Sequence, residues 1–211
     1  MARKKAEAPV VEQKEIDVLK FETKMITIPI KGRTSLIMSK FSEKSKRQIQ
    51  EIGEAEKGLK QGGKKKHIAD PQEQYEDSIH YLPDGKHYGF PAVGVKAAMV
   101  DSAYRIFGRK MTDMRAFFYV EGIDNEELVT INGTPRMRED MVRVGTINKV
   151  ASPRYRAEFP EWSATIKITF VNNVITEKEL VAYLQAAGFC CGIGEWRPEK
   201  GGQHGMFNIA V

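Results

Sequence analysis

Trp162-Ser163-Ala164-Thr165-Ile166-Lys167-Ile168-Thr169-Phe170-Val171 is the stretch on which the reading of the fold turns. Trp162, Ala164, Ile166, Ile168 and Phe170 fall on one side of an extended chain and the polar residues on the other, the two-residue period of a half-buried β-strand. Thr176 follows, with Glu179 three residues on, the capping box that opens a helix. Leu180, Val181, Leu184 and Ala187 supply that helix with an apolar face, and Gly188 is expected to end it. A glycine-rich loop from Gly192 to Gly205 comes next, and Met206 to Val211 reads as a last strand.

Upstream, Phe21 to Ile30 alternates in the same way, with Ile26, Ile28 and Ile30 on one side. Pro91 opens a helix to about Phe107 with the small apolar face Val95, Ala98, Met99, Ser102 and Ala103, closed by Gly108. A hairpin is expected over Asp77 to Phe90 around Pro83-Asp84-Gly85. Arg115 to Val120 and Leu128 to Ile131 read as strands, and Met141 to Ala157 as irregular and basic. The order strand, helix, two strands, helix, strand predicts an α+β chain with a ferredoxin-like (RRM-like) antiparallel sheet and two helices. Residues 1–15 read as a mobile tail and 16–211 as a single domain, with an inserted basic helical arm over 40–76.

Charge is unevenly spread. Lys40 to Lys66 holds nine basic residues against four acids, an excess equal to the net +5 of the whole chain. Within it, Ser42 to Leu59 is too polar for a core helix and runs into Gly62-Gly63-Lys64-Lys65-Lys66. Arg136 to Arg156 adds six basic residues against two acids, so a basic surface on a slightly acidic body is expected. That points to a polyanionic partner.

Other classes are poorly supported. No apolar run approaches the roughly 18 residues of a membrane helix, and no apolar region follows the basic start, so a cytoplasmic protein without membrane contact is expected. Cys190 and Cys191 are adjacent, which suits neither a disulfide framework nor a zinc site. His67, His80, His87 and His204 show no metal-binding spacing. The run Gly192-Ile193-Gly194-Glu195-Trp196-Arg197 follows a helix and precedes a strand, the reverse of a dinucleotide fingerprint. No cofactor is expected. The loop instead offers backbone that another backbone can approach, with Arg197, Lys200 and the stacking face of Trp196 beside it.

Three segments resemble the RAMP superfamily of RNA-binding proteins, above all the backbone subunits of CRISPR effector complexes. They are Ile28-Pro29-Ile30-Lys31-Gly32-Arg33-Thr34-Ser35-Leu36-Ile37, Gly89-Phe90-Pro91-Ala92-Val93-Gly94-Val95-Lys96-Ala97-Ala98-Met99-Val100, and the glycine-rich loop between the last helix and last strand. Together they span about a fifth of the chain, in family order. The loop is longer than the family's, and Ala92 and Val93 stand where serines are usual. The segment Glu139 to Trp162 also resembles proteins of bacteriophage genomes.

The residues and the resemblance together imply non-catalytic binding of single-stranded nucleic acid, RNA preferred over DNA, by a protein that forms a homo-oligomer or filament along it. The binding residues expected are Lys31, Arg33, Lys40, Lys44, Arg47, Lys96, Arg136, Arg138, Arg154, Arg156, Arg197 and Lys200, with Gly192, Gly194, Gly201, Gly202 and Gly205 admitting the strand. Two other functions fit the same residues: a self-assembling structural protein of phage type, and an RNA-processing nuclease using His204 as a base beside Arg197.

Overall fold

The computed structural model describes residues 22–40, 70–123, 127–144 and 150–210. The N-terminal tail and all of the basic arm between residues 41 and 69, Lys44 and Arg47 included, lie outside the described residues.

Strand β1 (Thr23–Gly32) pairs antiparallel along its length with β8 (Ser163–Val171), Ile28 opposite Ile166 and Ile30 opposite Ala164. The short β9 (Phe207–Ile209) lies on the other side of β1, pairing Ile30 to Gly32. On the far side of β8, β4 (Phe118–Glu121) and β5 (Leu128–Asn132) share one edge, and β3 (Tyr88–Pro91) adds to β5. Every pairing is antiparallel and the order β9-β1-β8-β4/β5 is that of a split βαβ pair, the ferredoxin-like sheet the periodicity predicts.

Helices α2 (Ala92–Phe107) and α4 (Glu177–Ala186) cover one face of the sheet. That face is built from Ile28, Ile30, Ala164, Ile166, Ile168, Phe170, Phe118 and Val120, all buried. Each large side chain there contributes roughly 1.5–3 kcal/mol of burial. The small residues of α2 let the two helices approach: Ser102 is fully buried and its hydroxyl lies 2.8 Å from the Tyr183 carbonyl of α4. Thr176 and Glu179 form the expected capping box at the start of α4. The other face of the sheet carries Thr27, Pro29, Lys31, Thr165, Lys167 and Tyr119 and is open to solvent.

The structure corrects the sequence reading in four places. The segment read as irregular is a long hairpin, β6 (Arg136–Val144) with β7 (Val150–Phe159), which with β2 (Leu36–Ile37) forms a second three-stranded sheet. Apolar alternation is short here: Tyr155, Ala157 and Phe159 share a face at the end of β7, while β6 opposes them with Met137 and Met141 interrupted by Glu139 and Arg143. The first half of the expected strand Arg115 to Val120 belongs to helix α3 (Met111–Phe117), where Met114 turns into the core. The turn at Pro83-Asp84-Gly85 forms, with Gly85 N–H donating to the Leu82 carbonyl, but its first arm contributes only the bridge Tyr81 to Tyr88. That arm is preceded by helix α1 (Pro71–Asp77) at the end of the expected insertion. Finally, α4 does not stop at Gly188: a π-turn over Ala187–Cys191 carries it to Gly192, and Val181 is exposed rather than buried.

Candidate nucleic-acid interface

The corner between β1 and β2 holds the site together. Gly32 lies beneath the Trp162 indole, so close that a Cβ on it would stand 2.3 Å from Nε1. The indole N–H donates to the Thr34 carbonyl at 2.8 Å. The glycine-rich loop then runs along this corner backbone to backbone. Arg33 N–H donates to the Met206 carbonyl at 2.8 Å, Gly205 N–H to Ser35 at 2.8 Å, and Glu195 N–H to Ile37 at 2.9 Å. The first and third segments of the sequence reading are therefore one surface.

Most of the loop glycines answer to this packing. A Cβ on Gly205 would lie 1.7 Å from the Ile193 carbonyl oxygen, and φ there is +69°. No other residue fits. Gly194 abuts the Ile37 carbonyl and Gly202 the Trp196 carbonyl, while Gly192 ends the π-turn. Gly201 alone of the five faces open space. Trp196, half-exposed, is held at φ +53°, a left-handed conformation costly for a bulky side chain.

The hairpin is joined to the loop through a buried carboxylate. Directly opposed residues of an antiparallel pair share a face, so the pairs Arg136–Glu158, Arg138–Arg156 and Asp140–Arg154 line up six charged side chains on one side. Glu158 is 4% exposed and accepts from Arg136 Nε at 2.9 Å, Arg138 at 3.0 Å and the Ser35 hydroxyl at 2.8 Å. Burial pushes the Glu158 carboxyl up, but those three donors outweigh it and hold it below the usual glutamate range. The Ser35 oxygen lies 2.9 Å from Nδ1 of His204, so the chain Glu158–Ser35–His204 ties β7, the corner and the loop.

The expected binding residues fall into three groups. Arg156 is nearly buried, 3.6 Å from Asp140 and 3.8 Å from Glu195. Arg138 also pairs with Asp140, and Arg197 and Lys200 both pair with Glu199, Arg197 donating as well to the Gly194 carbonyl. Lys31, Lys40 and Arg154 are exposed, with no ion pair among the described residues, and the Arg33 guanidinium lies over the Phe189 ring, 5.5 Å from its centroid. Lys96 stands apart at the far edge of the main sheet, bonded to the Arg115 carbonyl beside Phe118 and Tyr119, its ammonium pKa lowered by burial. Around the loop and on the charged face of the hairpin, seven cations (Arg33, Arg136, Arg138, Arg154, Arg156, Arg197, Lys200) meet four carboxylates, Asp140, Glu158, Glu195 and Glu199. The surface stays basic. Sequence reasoning missed Glu158 and Phe189: one glutamate in a basic run and one aromatic after a glycine carry no local signal.

Among the described residues no cluster of side chains suits a metal ion, and no helix is long and apolar enough to cross a membrane.

Comparison with solved structures places this architecture. The chain superposes on a chain of the cryo-EM structure of the Type III-B Cmr-beta bound to cognate target RNA, with TM-score 0.51 and 9% identity, over 90% of this chain and 59% of that one. It thus spans about three fifths of that chain's length. The crystal structure of Cmr6 from Pyrococcus furiosus is similar at TM-score 0.43 and 10% identity, over 90% of this chain and 99% of that one. No protein-family model and no curated protein matches the sequence. The likeness is one of fold: an antiparallel, ferredoxin-like architecture shared with that chain of the Type III-B Cmr-beta structure.

Proposed function

We propose that the protein binds single-stranded nucleic acid, RNA in preference to DNA, without cleaving it, and multimerises along the strand. One observation carries the reading: the glycine-rich loop, fastened to the β1–β2 corner, gathers Arg33, Phe189, Trp196 and the arginine face of the β6–β7 hairpin on one basic surface. Cations that release counterions beside exposed aromatic faces are the means by which proteins hold single strands without reading their sequence. The fold neighbour's presence in a structure bound to cognate target RNA supports the same reading. Lys31, Arg33, Arg154 and Lys200 are the primary phosphate contacts, with Gly201 on the open side of the loop. Lys40 is a further phosphate contact, and Lys44 and Arg47, outside the described residues, bind the strand as well in this reading. Arg136, Arg138, Arg156 and Arg197 add field while holding the loop and hairpin in place, and Lys96 serves a strand only at the opposite edge.

The test is binding of single-stranded RNA, single-stranded DNA and duplex across a salt series. Affinity for single strands should fall steeply, the log–log slope being about −0.7 per phosphate neutralised. Long RNA should yield arrays of regular spacing in electron micrographs. Equal, salt-insensitive binding to all three nucleic acids overturns the reading.

A further inference from the structure

Beside the glycine-rich loop lies an open cleft of about 460 Å³, lined among others by Arg33, Phe189, Pro198, Gly202, Gln203 and Met206. It falls within the roughly 300–1,000 Å³ range of small-molecule sites. Its walls are of two kinds. Phe189, Pro198 and Met206 are apolar, and Phe189 is 54% exposed. The Arg33 guanidinium lies over that ring, 5.5 Å from its centroid, and has no carboxylate partner among the described residues. The Gln203 side chain, exposed at the cleft, has no hydrogen bond among the described residues.

A guanidinium beside an aromatic ring offers two π-surfaces on which a planar heteroaromatic can stack. Next to it, a free carboxamide offers one acceptor and two donors, the complement of a base edge. The guanidinium edge still presents N–H groups to a phosphate. We propose that this cleft is a subsite for one unstacked nucleotide: the base rests on the Arg33–Phe189 pair, its edge meets Gln203, and its phosphate meets Arg33. The subsite gives the protein a base preference at one position of an otherwise sequence-tolerant strand, and in this respect it rests on the function proposed above. Gly202 also lines the cleft, its backbone packed against the Trp196 carbonyl.

The experiment titrates the full-length protein with each of the four nucleoside 5′-monophosphates, with ribose 5-phosphate and inorganic phosphate as controls, by calorimetry. Single-stranded RNA carrying one abasic position at a time is measured alongside. At least one mononucleotide should bind tenfold or more tightly than ribose 5-phosphate. Phe189→Ala should remove that advantage, Arg33→Lys should weaken it about tenfold by replacing the plane with a point charge, and Gln203→Ala should change the ranking of the four bases. Thermal melts of each variant confirm folding, and Phe189→Leu serves if Phe189→Ala unfolds. Ribose 5-phosphate or phosphate binding as well as every nucleotide, or no nucleotide binding at all, overturns the subsite. If RNA then still binds with its salt slope intact and a flat abasic scan, the subsite alone has failed. If no strand binds, the proposed function has failed, while a base-ranked mononucleotide response would still uphold the cleft.

Discussion

The Ser35 hydroxyl donates to the Glu158 carboxylate at 2.8 Å across 123 positions of sequence, and through this bond the first corner of the main sheet is joined to the long hairpin of the second. Neither residue belongs to a strand-forming apolar pattern. Their bond, with the two arginines on the same carboxylate, orients the basic face toward the glycine-rich loop.

Glu158 should make stability depend on acid pH. Its folded pKa lies below the ordinary value of 4.5, because hydrogen bonds from Ser35, Arg136 and Arg138 outweigh the opposing effect of burial. The stabilisation is therefore complete above about pH 4.5 and is lost as pH falls through the lower folded value. Glu158→Gln should cost about 1–3 kcal/mol at pH 7 by leaving charged donors poorly paired. Urea melts from pH 7 to 3 should show a flatter acid limb in the variant. Parallel limbs would show that Glu158 is not the responsible group.

Arg154 and Arg156, two residues apart on one face, should behave differently. Arg154 is exposed, with no ion pair among the described residues, whereas the Arg156 side chain is 12% exposed between Asp140 and Glu195. Arg154→Ala should leave the melting temperature unchanged and reduce the single-strand salt slope by about 0.7. Arg156→Ala should lower the melting temperature by leaving the Asp140 carboxylate underpaired. Equal effects of the two on both measurements would contradict the placement.

Trp196 holds a left-handed backbone conformation that costs a residue with a Cβ roughly 1–2 kcal/mol. Trp196→Gly should therefore keep or raise stability while weakening single-strand binding, by about 1–3 kcal/mol if the indole stacks on a base. A stable variant with unchanged affinity would remove Trp196 from the interface.

Gly201 and Gly205 separate strain from collision. Both have positive φ, but a Cβ at 201 meets open space and at 205 the Ile193 carbonyl oxygen. Gly201→Ala should cost about 1–2 kcal/mol. Gly205→Ala should cost distinctly more and loosen the loop, seen as faster exchange of the Glu195 amide, which donates to the Ile37 carbonyl. Similar melts for the two variants would mean that the loop is not clamped as described.

By itself the sequence determined the main sheet and its helices. Strand β8 and strand β1 each have one face in the core and one in water, so their burial is written as a two-residue period. The cap of α4 was equally plain, since Thr176 and Glu179 satisfy backbone groups within one turn. The β6–β7 hairpin was not legible, because apolar alternation is confined to Tyr155, Ala157 and Phe159 at the end of β7, and the opposite face is held by ion pairs between strands, with Glu158 taking donors from Arg136 and Arg138. Residues 115–117 passed for strand because Met111, Met114 and Phe117 have too few neighbours in sequence to declare a helix. The sequence marked Arg33 and the glycine-rich loop separately. Their meeting was decided only when β9 paired with β1 and the loop backbone bonded to the corner, which also set Arg33 over Phe189 and left a cleft beside them. Local pattern records which face of an element is buried; only tertiary pairing decides which distant side chains share a surface.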